Sequence, residues 1–186
     1  VSSILYRRAG PADYPAIVEL NKANFSANLS EEERGDGFLS AVFTLEQTAA
    51  MAEDLGTTVA IVEGQVAGFL CAFRNDFNHG SPVVAKMIES YDRLSFEGQL
   101  LKSFNTYAYG PVCIARAHRR KGLLRGLFEE QKRELAGRFE VGVALIARTN
   151  QHSMDAHIAG LGMTDVGSFE VGGNLFATVV FRVGVA

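Results

Sequence analysis

The chain switches repeatedly between strand-like and helix-like spacing of its apolar residues. Residues 4–8, Ile-Leu-Tyr-Arg-Arg, form a short strand-like run, and Gly10-Pro11 then opens a helical pattern carried by Tyr14, Ile17, Val18 and Leu20. Residues 26–37 are a polar loop with an acidic cluster, Glu31, Glu32, Glu33 and Asp36. Thr44 and Gln47 stand at capping-box spacing and predict a second helix through Met51 and Leu55. Residues 58–62 and 66–73 predict two apolar strands covered on both faces, joined by a hairpin at Glu63-Gly64-Gln65.

Residues 74–103 are a long excursion, with helical stretches expected around 83–91 and 96–102. Residues 104–114 are strand-like, 122–136 amphipathic and 141–147 a buried strand, a unit that builds α/β layers. A short helix over 153–161 places Met154, Ile158 and Leu161 on one buried face and ends at Gly162. Residues 165–171 and 175–183 close the chain as two strands joined through Gly172-Gly173. The expected class is α/β.

At 186 residues the chain is expected to be a single domain spanning 1–186, with a partly helical insertion at about 74–103. Apolar residues at 47% and charged residues at 21% match an ordinary globular protein, so neither disorder nor a membrane span is expected. The net charge of −3 argues against a dedicated nucleic-acid binder, so any anion site must be local. Cys71 and Cys113 sit in strand-like runs without a CxxC motif, which fits buried thiols in a reducing cytoplasm. The first residues show no secretory pattern, consistent with a cytoplasmic location. His79, His118, His152 and His157 lack zinc-like spacing, and no metal is expected.

Chemistry concentrates in residues 118–135, HRRKGLLRGLFEEQKREL, which follow a strand and open a helix. Leu124, Leu127, Phe128 and Leu135 are expected on its buried side. The first turn of a helix gathers unpaired N–H groups at the positive end of the dipole, a ready anion site. Gly122 would let a phosphate approach without a Cβ in the way. Arg119, Arg120, Lys121 and Arg125 surround that point, although a helix dipole disfavours cations there. A bound anion explains them; a solvated helix start, offset by pairs such as Glu129 with Arg133, is the plainer alternative. Three charged contacts at about 1.5–3 kcal/mol each would supply much of the roughly 8 kcal/mol of a micromolar ligand. Neither a Walker A nor a Rossmann glycine string occurs.

With this order of elements, the segment resembles the GNAT superfamily of acyl-CoA N-acyltransferases. The family signature is Arg or Gln, two residues, Gly, one residue, then Gly or Ala, and here it reads Arg119, Gly122 and Leu124. The last position departs from the pattern, though Gly126 follows. The resemblance extends to Gly64 and Gly68 in the hairpin, the approach from Ile114 to Arg119, Asn150, and a closing Leu161-Gly162-Met163. It implies a three-layer α/β/α fold around a mixed, mostly antiparallel, splayed sheet, and transfer of an acetyl group from acetyl-CoA to an amine in a ternary complex. The backbone of Val112, Cys113 and Ile114 would hold the pantetheine arm, with the Ile114 N–H meeting the oxyanion. Arg119, Arg120, Lys121, Gly122, Leu123, Leu124, Arg125 and Gly126 would hold the phosphates, and Asn150 would bind pantetheine or cap the next helix.

Many relatives place a tyrosine acid where this chain has Ile158. His157, four residues after Ser153, is the nearest replacement, and an extra residue in HIAGLGM could carry it there; a core-edge histidine is the alternative. Tyr107 and Tyr109 share one side of their strand, so Tyr109 is a second candidate proton donor, with packing as the alternative. A Cys113 nucleophile lacks a His and acid pair. The acidic loop could attract an amine cation or be solvated, and Phe77, Tyr91 and Phe96 could shape an acceptor pocket. The partner is therefore a small-molecule or peptide amine, not nucleic acid or membrane, with homodimerisation left open. The competing readings are a catalytically degenerate acyl-CoA-binding sensor and a phosphate-anchored binder unrelated to coenzyme A.

Overall fold

The structure, a computed structural model, describes residues 3–78 and 80–184, so His79 lies outside the described residues. In chain order the elements are β1 (Ile4–Arg8), α1 (Tyr14–Ala23), α2 (Glu31–Arg34), α3 (Leu45–Asp54), β2 (Gly56–Val62), β3 (Gln65–Phe73), α4 (Pro82–Glu89), β4 (Ser95–Phe96) and β5 (Gln99–Leu100). They continue with β6 (Thr106–Ile114), α5 (Leu123–Leu135), β7 (Val141–Ala147), α6 (Gln151–Asp155), β8 (Thr164–Val171) and β9 (Asn174–Arg182). Seven strands form one mixed, mostly antiparallel sheet in the hydrogen-bonded order β1-β2-β3-β6-β7-β9-β8. The chain divides into two compact units, residues 1–73 with 110–134 and residues 74–109 with 135–186.

In the first unit β1, β2 and β3 form an antiparallel meander, with Tyr6 opposite Ala60 and Val59 opposite Phe69. Val59, Ala60, Phe69 and Leu70 are all fully buried, as strands covered on both faces require. Each large side chain removed from water this way contributes about 1.5–3 kcal/mol. Thr44 caps α3 as its spacing predicts, its hydroxyl accepting from the Gln47 N–H while the Gln47 side chain accepts from the Thr44 N–H. The acidic stretch is not a loop throughout. Ser30 caps it and Glu33 returns the bond to the Ser30 N–H, so Glu31–Arg34 winds into one helical turn.

Two neighbours on β6 show how helices cover that unit. Successive strand side chains point to opposite faces. The Cys113 sulfur lies 3.9 Å from the Leu20 carbonyl of α1. The Ile114 side chain instead packs at Gly68, beside Leu127 of α5. Helices α1 and α5 therefore flank the strands on opposite sides, the three-layer arrangement expected. A Cβ on Gly68 would stand 2.8 Å from Ile114 Cδ1 and 3.0 Å from the Cys113 carbonyl, so glycine there lets β3 and β6 meet closely.

In the second unit β7 pairs along its length with β9, and β9 with β8, both antiparallel. Thr106, Tyr107 and Ala108 of β6 pair in parallel with Val141, Gly142 and Val143. The bond between Gly110 and Pro111 is cis. Pro111 has no N–H to give to a ladder, a physical reason for that pairing to be short.

Two expectations need correction here. The stretch 96–102 is a tight hairpin of β4 and β5, turning at Glu97 and Gly98 with φ of 50° and 79°, and not a helix. Arg182 pins it, pairing with Glu97 and lying 4.8 Å over the Phe104 ring. The helix expected over 153–161 changes winding after Asp155, and Ala156–Gly160 is a π turn. The wider turn rotates the register, so Met154 and His157 are buried while Ile158 and Leu161 are only half-buried. Among the described residues no helix is long and apolar enough to cross a membrane.

Candidate functional site

Helix α5 begins after Gly122, and the Gly126 N–H reaches the Gly122 carbonyl at 3.2 Å as the first helical bond. The N–H groups of Leu123, Leu124 and Arg125 precede it and have no carbonyl one turn back within the helix. Gly122 holds φ at 82°, and a Cβ built on it would meet nothing within 4 Å. The space over the turn is open, and the glycine is needed for its left-handed backbone. Arg120 is also left-handed, at φ 61°, a conformation that costs a non-glycine residue roughly 1–2 kcal/mol. Arg120 and Lys121 are exposed, the first 3.4 Å from the Asp36 carboxylate and the second donating to the Ala117 carbonyl at 2.8 Å. Arg125 is exposed on the first turn.

The buried side of α5 is Leu123, Leu127, Phe128, Gln131 and Leu135, so Leu123 takes the place expected for Leu124, which is half-buried. Gln131 is accommodated because its amide donates to the Cys71 carbonyl of β3 at 3.1 Å. Gly126 serves packing: a Cβ there would fall 2.0 Å from the Tyr6 ring and 2.3 Å from its hydroxyl oxygen. Gly126→Ala should therefore lose about 1–3 kcal/mol to overpacking, although alanine favours a helix by about 1 kcal/mol. The loss should vanish in a Tyr6→Ala background; urea denaturation showing Gly126→Ala at least as stable as wild type would refute the packing argument.

Peptide geometry orients the end of β6. The Cys113 carbonyl faces Gly68 of β3, so the Ile114 N–H, across the same planar peptide, faces away from β3. The Ala115 N–H donates to the Ala67 carbonyl of β3 at 2.8 Å, so the Ile114 carbonyl also faces away. Arg119 receives that carbonyl, its Nε donating at 3.1 Å. The other two guanidinium nitrogens donate to the Asp36 carbonyl at 2.9 Å and to Asn24 Oδ1 at 2.7 Å. Arg119 thus binds protein acceptors with all three nitrogens. The acidic segment also meets the same basic stretch through Glu33 and Arg116 at 2.9 Å. Arg116 and the Ser30 N–H hold the Glu33 carboxyl below its usual range, the backbone bond first.

In the second unit the two proton-donor candidates meet. Tyr109 Oη lies 3.2 Å from His157 Nε2, both residues buried. His157 Nδ1 lies 2.8 Å from the Ser153 carbonyl. A carbonyl only accepts, so Nδ1 carries the proton. Burial lowers the His157 pKa, opposed by the Ser153 bond and reinforced by the His152 charge, so the ring is neutral and Nε2 accepts. Tyr109 is then the donor to His157, and desolvation raises its own pKa well above the usual value. Asn150 caps α6, its side chain accepting from the Ser153 N–H at 3.2 Å, which places the Ser153 carbonyl for His157. The Cys113 thiol is pushed up to about 12 by burial, with the Arg119 charge opposing, so it stays protonated. The phenol of Tyr107, by contrast, is enclosed by Phe139 and Phe181.

No protein-family model matches this sequence, and no curated protein matches it at a significant level. Solved structures do match. A ribosomal-protein-alanine N-acetyltransferase from Brucella melitensis is 22% identical with a TM-score of 0.62, over 96% of this chain and 99% of its own. A Salmonella typhimurium protein solved with its cofactor acetyl-CoA is 21% identical with a TM-score of 0.59, over 97% of this chain and 94% of its own. A GNAT-family acetyltransferase from Streptococcus pneumoniae is 17% identical with a TM-score of 0.59, over 98% of this chain and 100% of its own. The chain therefore has the fold of the GNAT-family acetyltransferases.

Proposed function

We propose that the protein transfers an acetyl (acyl) group from acetyl-CoA to a primary amine of a small molecule or peptide, by direct attack in a ternary complex. The observation that carries this reading is the open first turn of α5, where N–H groups that precede the first intrahelical bond and a left-handed Gly122 stand beside exposed Arg120 and Lys121. These residues fit a pyrophosphate. Acetyl-CoA would supply an activated thioester carbonyl. The N–H groups of Leu123, Leu124 and Arg125, with Arg120 and Lys121, would hold the phosphates, and the backbone of Val112, Cys113 and Ile114 the pantetheine arm. The Ile114 N–H, facing away from β3, is the donor suited to a developing oxyanion. Tyr109 Oη, hydrogen-bonded to His157 Nε2, is the group that would hold and deliver a proton. Glu31 and Glu32, exposed on α2, would attract an amine cation.

Calorimetry with acetyl-CoA, followed by free-thiol release across peptides, polyamines, amino acids and aminoglycosides, tests the reading. Wild type should bind acetyl-CoA and release thiol with one acceptor class. The Arg120→Ala, Lys121→Ala double variant should bind at least about tenfold more weakly, because charged contacts to phosphate are lost. Binding without thiol release from any amine would favour an acyl-CoA sensor, which the bulky Leu124 in the signature also suits. Absence of binding would sink both.

A further inference from the structure

We propose that Arg119 is a positioning residue for the Ile114 backbone donor and contributes little to phosphate affinity. The inference rests on the acyltransfer reading above, but its grounds are independent of any ligand. Each guanidinium nitrogen already has a protein acceptor: Ile114 O, Asp36 O and Asn24 Oδ1. The planar fork of arginine presents its donors in fixed directions, so meeting three acceptors at once fixes their mutual placement. Those acceptors come from the end of β6, the residue after the α2 turn region, and the C-cap of α1.

The Ile114 carbonyl and the Ile114 N–H face the same way, away from β3. On that side β3 supplies no partner, and Arg119 holds the Ile114 carbonyl at 3.1 Å, while the Ala115 N–H of the same peptide is anchored to β3 at Ala67. Its charge also reaches the neighbouring Cys113 side chain, whose thiol it pulls downward against burial. Without Arg119 the Ile114 carbonyl loses its cationic partner and residues 24–36 lose two of their bonds to this corner. The change removes none of the N–H groups of Leu123 to Arg125 and neither the Arg120 nor the Lys121 side chain. Phosphate binding and backbone positioning are thereby separable in one arginine.

The test uses the full chain and three variants, Arg119→Ala, Arg119→Gln and Arg119→Lys. The probe for phosphate affinity is adenosine 3′-phosphate 5′-diphosphate, which carries the phosphates of coenzyme A without the pantetheine arm. Its calorimetric Kd should change by less than about twofold in Arg119→Ala. With acetyl-CoA and an active acceptor, kcat should fall about tenfold or more, a fraction of the hundredfold or greater loss seen when an oxyanion donor is removed outright. Arg119→Gln, which can still donate to the Ile114 carbonyl, should recover part of kcat although it has lost the charge. Should Arg119→Ala fail to fold, the comparison passes to the Gln and Lys variants. A tenfold loss of affinity for the probe with kcat unchanged overturns the proposal in favour of a phosphate ligand. A ligand-free measurement separates this failure from that of the acyltransfer reading: the amide resonances of Ile114 and Ala115 should shift and exchange faster in Arg119→Ala. Unchanged amides overturn the positioning role even if the wild type binds neither acetyl-CoA nor the probe.

Discussion

Gly142→Ala should destabilise the protein by about 3 kcal/mol, the upper part of the usual overpacking range. For a chain of this size that lowers Tm by about 6–12 °C. The sign is opposite to the general tendency, since alanine in a strand normally gains about 0.5–1 kcal/mol over glycine. The reason is the cross-strand partner. Gly142 on β7 stands opposite Phe181 on β9, and the phenyl ring folds over the glycine. A Cβ would fall 2.1 Å from Phe181 Cζ, with two further ring carbons at 2.5 and 2.8 Å. The ring has little room to retreat, because Tyr109 packs edge-on at 5.5 Å and Tyr107 at 6.2 Å. Displacement would therefore press on Tyr109 and its bond to His157. In a Phe181→Leu background the cost of Gly142→Ala should shrink to under about 1 kcal/mol, a coupling that guanidinium denaturation of the four proteins measures directly. An additive result, or a stabilised Gly142→Ala, would mean that the ring does not confine the site.

The features legible in the sequence were those whose physics is local. Thr44 with Gln47 announced the start of α3, and Glu63-Gly64 the β2–β3 turn. What the sequence concealed depends on distant partners or on winding. Arg119 looked like one more cation at the turn; its acceptors Asn24 and Asp36 lie 95 and 83 residues away, beyond any spacing rule. Leu123 and Leu124 are equally apolar, and only the point at which the helix starts decides which is buried. The β4 and β5 strands have two residues each, too short to show alternation, although Gly98 was an available turn signal. The π turn defeats a 3.6-residue count by construction. The wide turn carries His157 inward to Tyr109.

That inward position makes His157 a determinant of acid stability, and His157→Gln should remove a pH dependence that the wild type shows below about pH 6.5. Burial lowers the folded-state pKa of His157 beneath the ordinary histidine value of about 6.5. As pH falls through 6.5 the unfolded chain therefore takes up the proton first, and the unfolded state holds more protons than the folded one. Stability then rises with pH in this window, by at most about 1.4 kcal/mol per unit, and is constant above it as far as His157 is concerned. The contribution is fully present above pH 6.5 and is lost as pH descends toward the folded-state pKa. Asp13, held low chiefly by its bonds to Arg7, adds its own loss only in the carboxylate range, near pH 4 and below. Subtracting the His157→Gln profile from wild type isolates the imidazole, since glutamine occupies similar space, can bond Tyr109 and Ser153, and does not titrate. Urea midpoints taken at half-unit steps from pH 8 to 5 should diverge only below about 6.5, with the wild type falling faster. Parallel profiles would show that His157 takes up its proton equally in both states, which a neutral ring enclosed between Ser153 and Tyr109 does not allow.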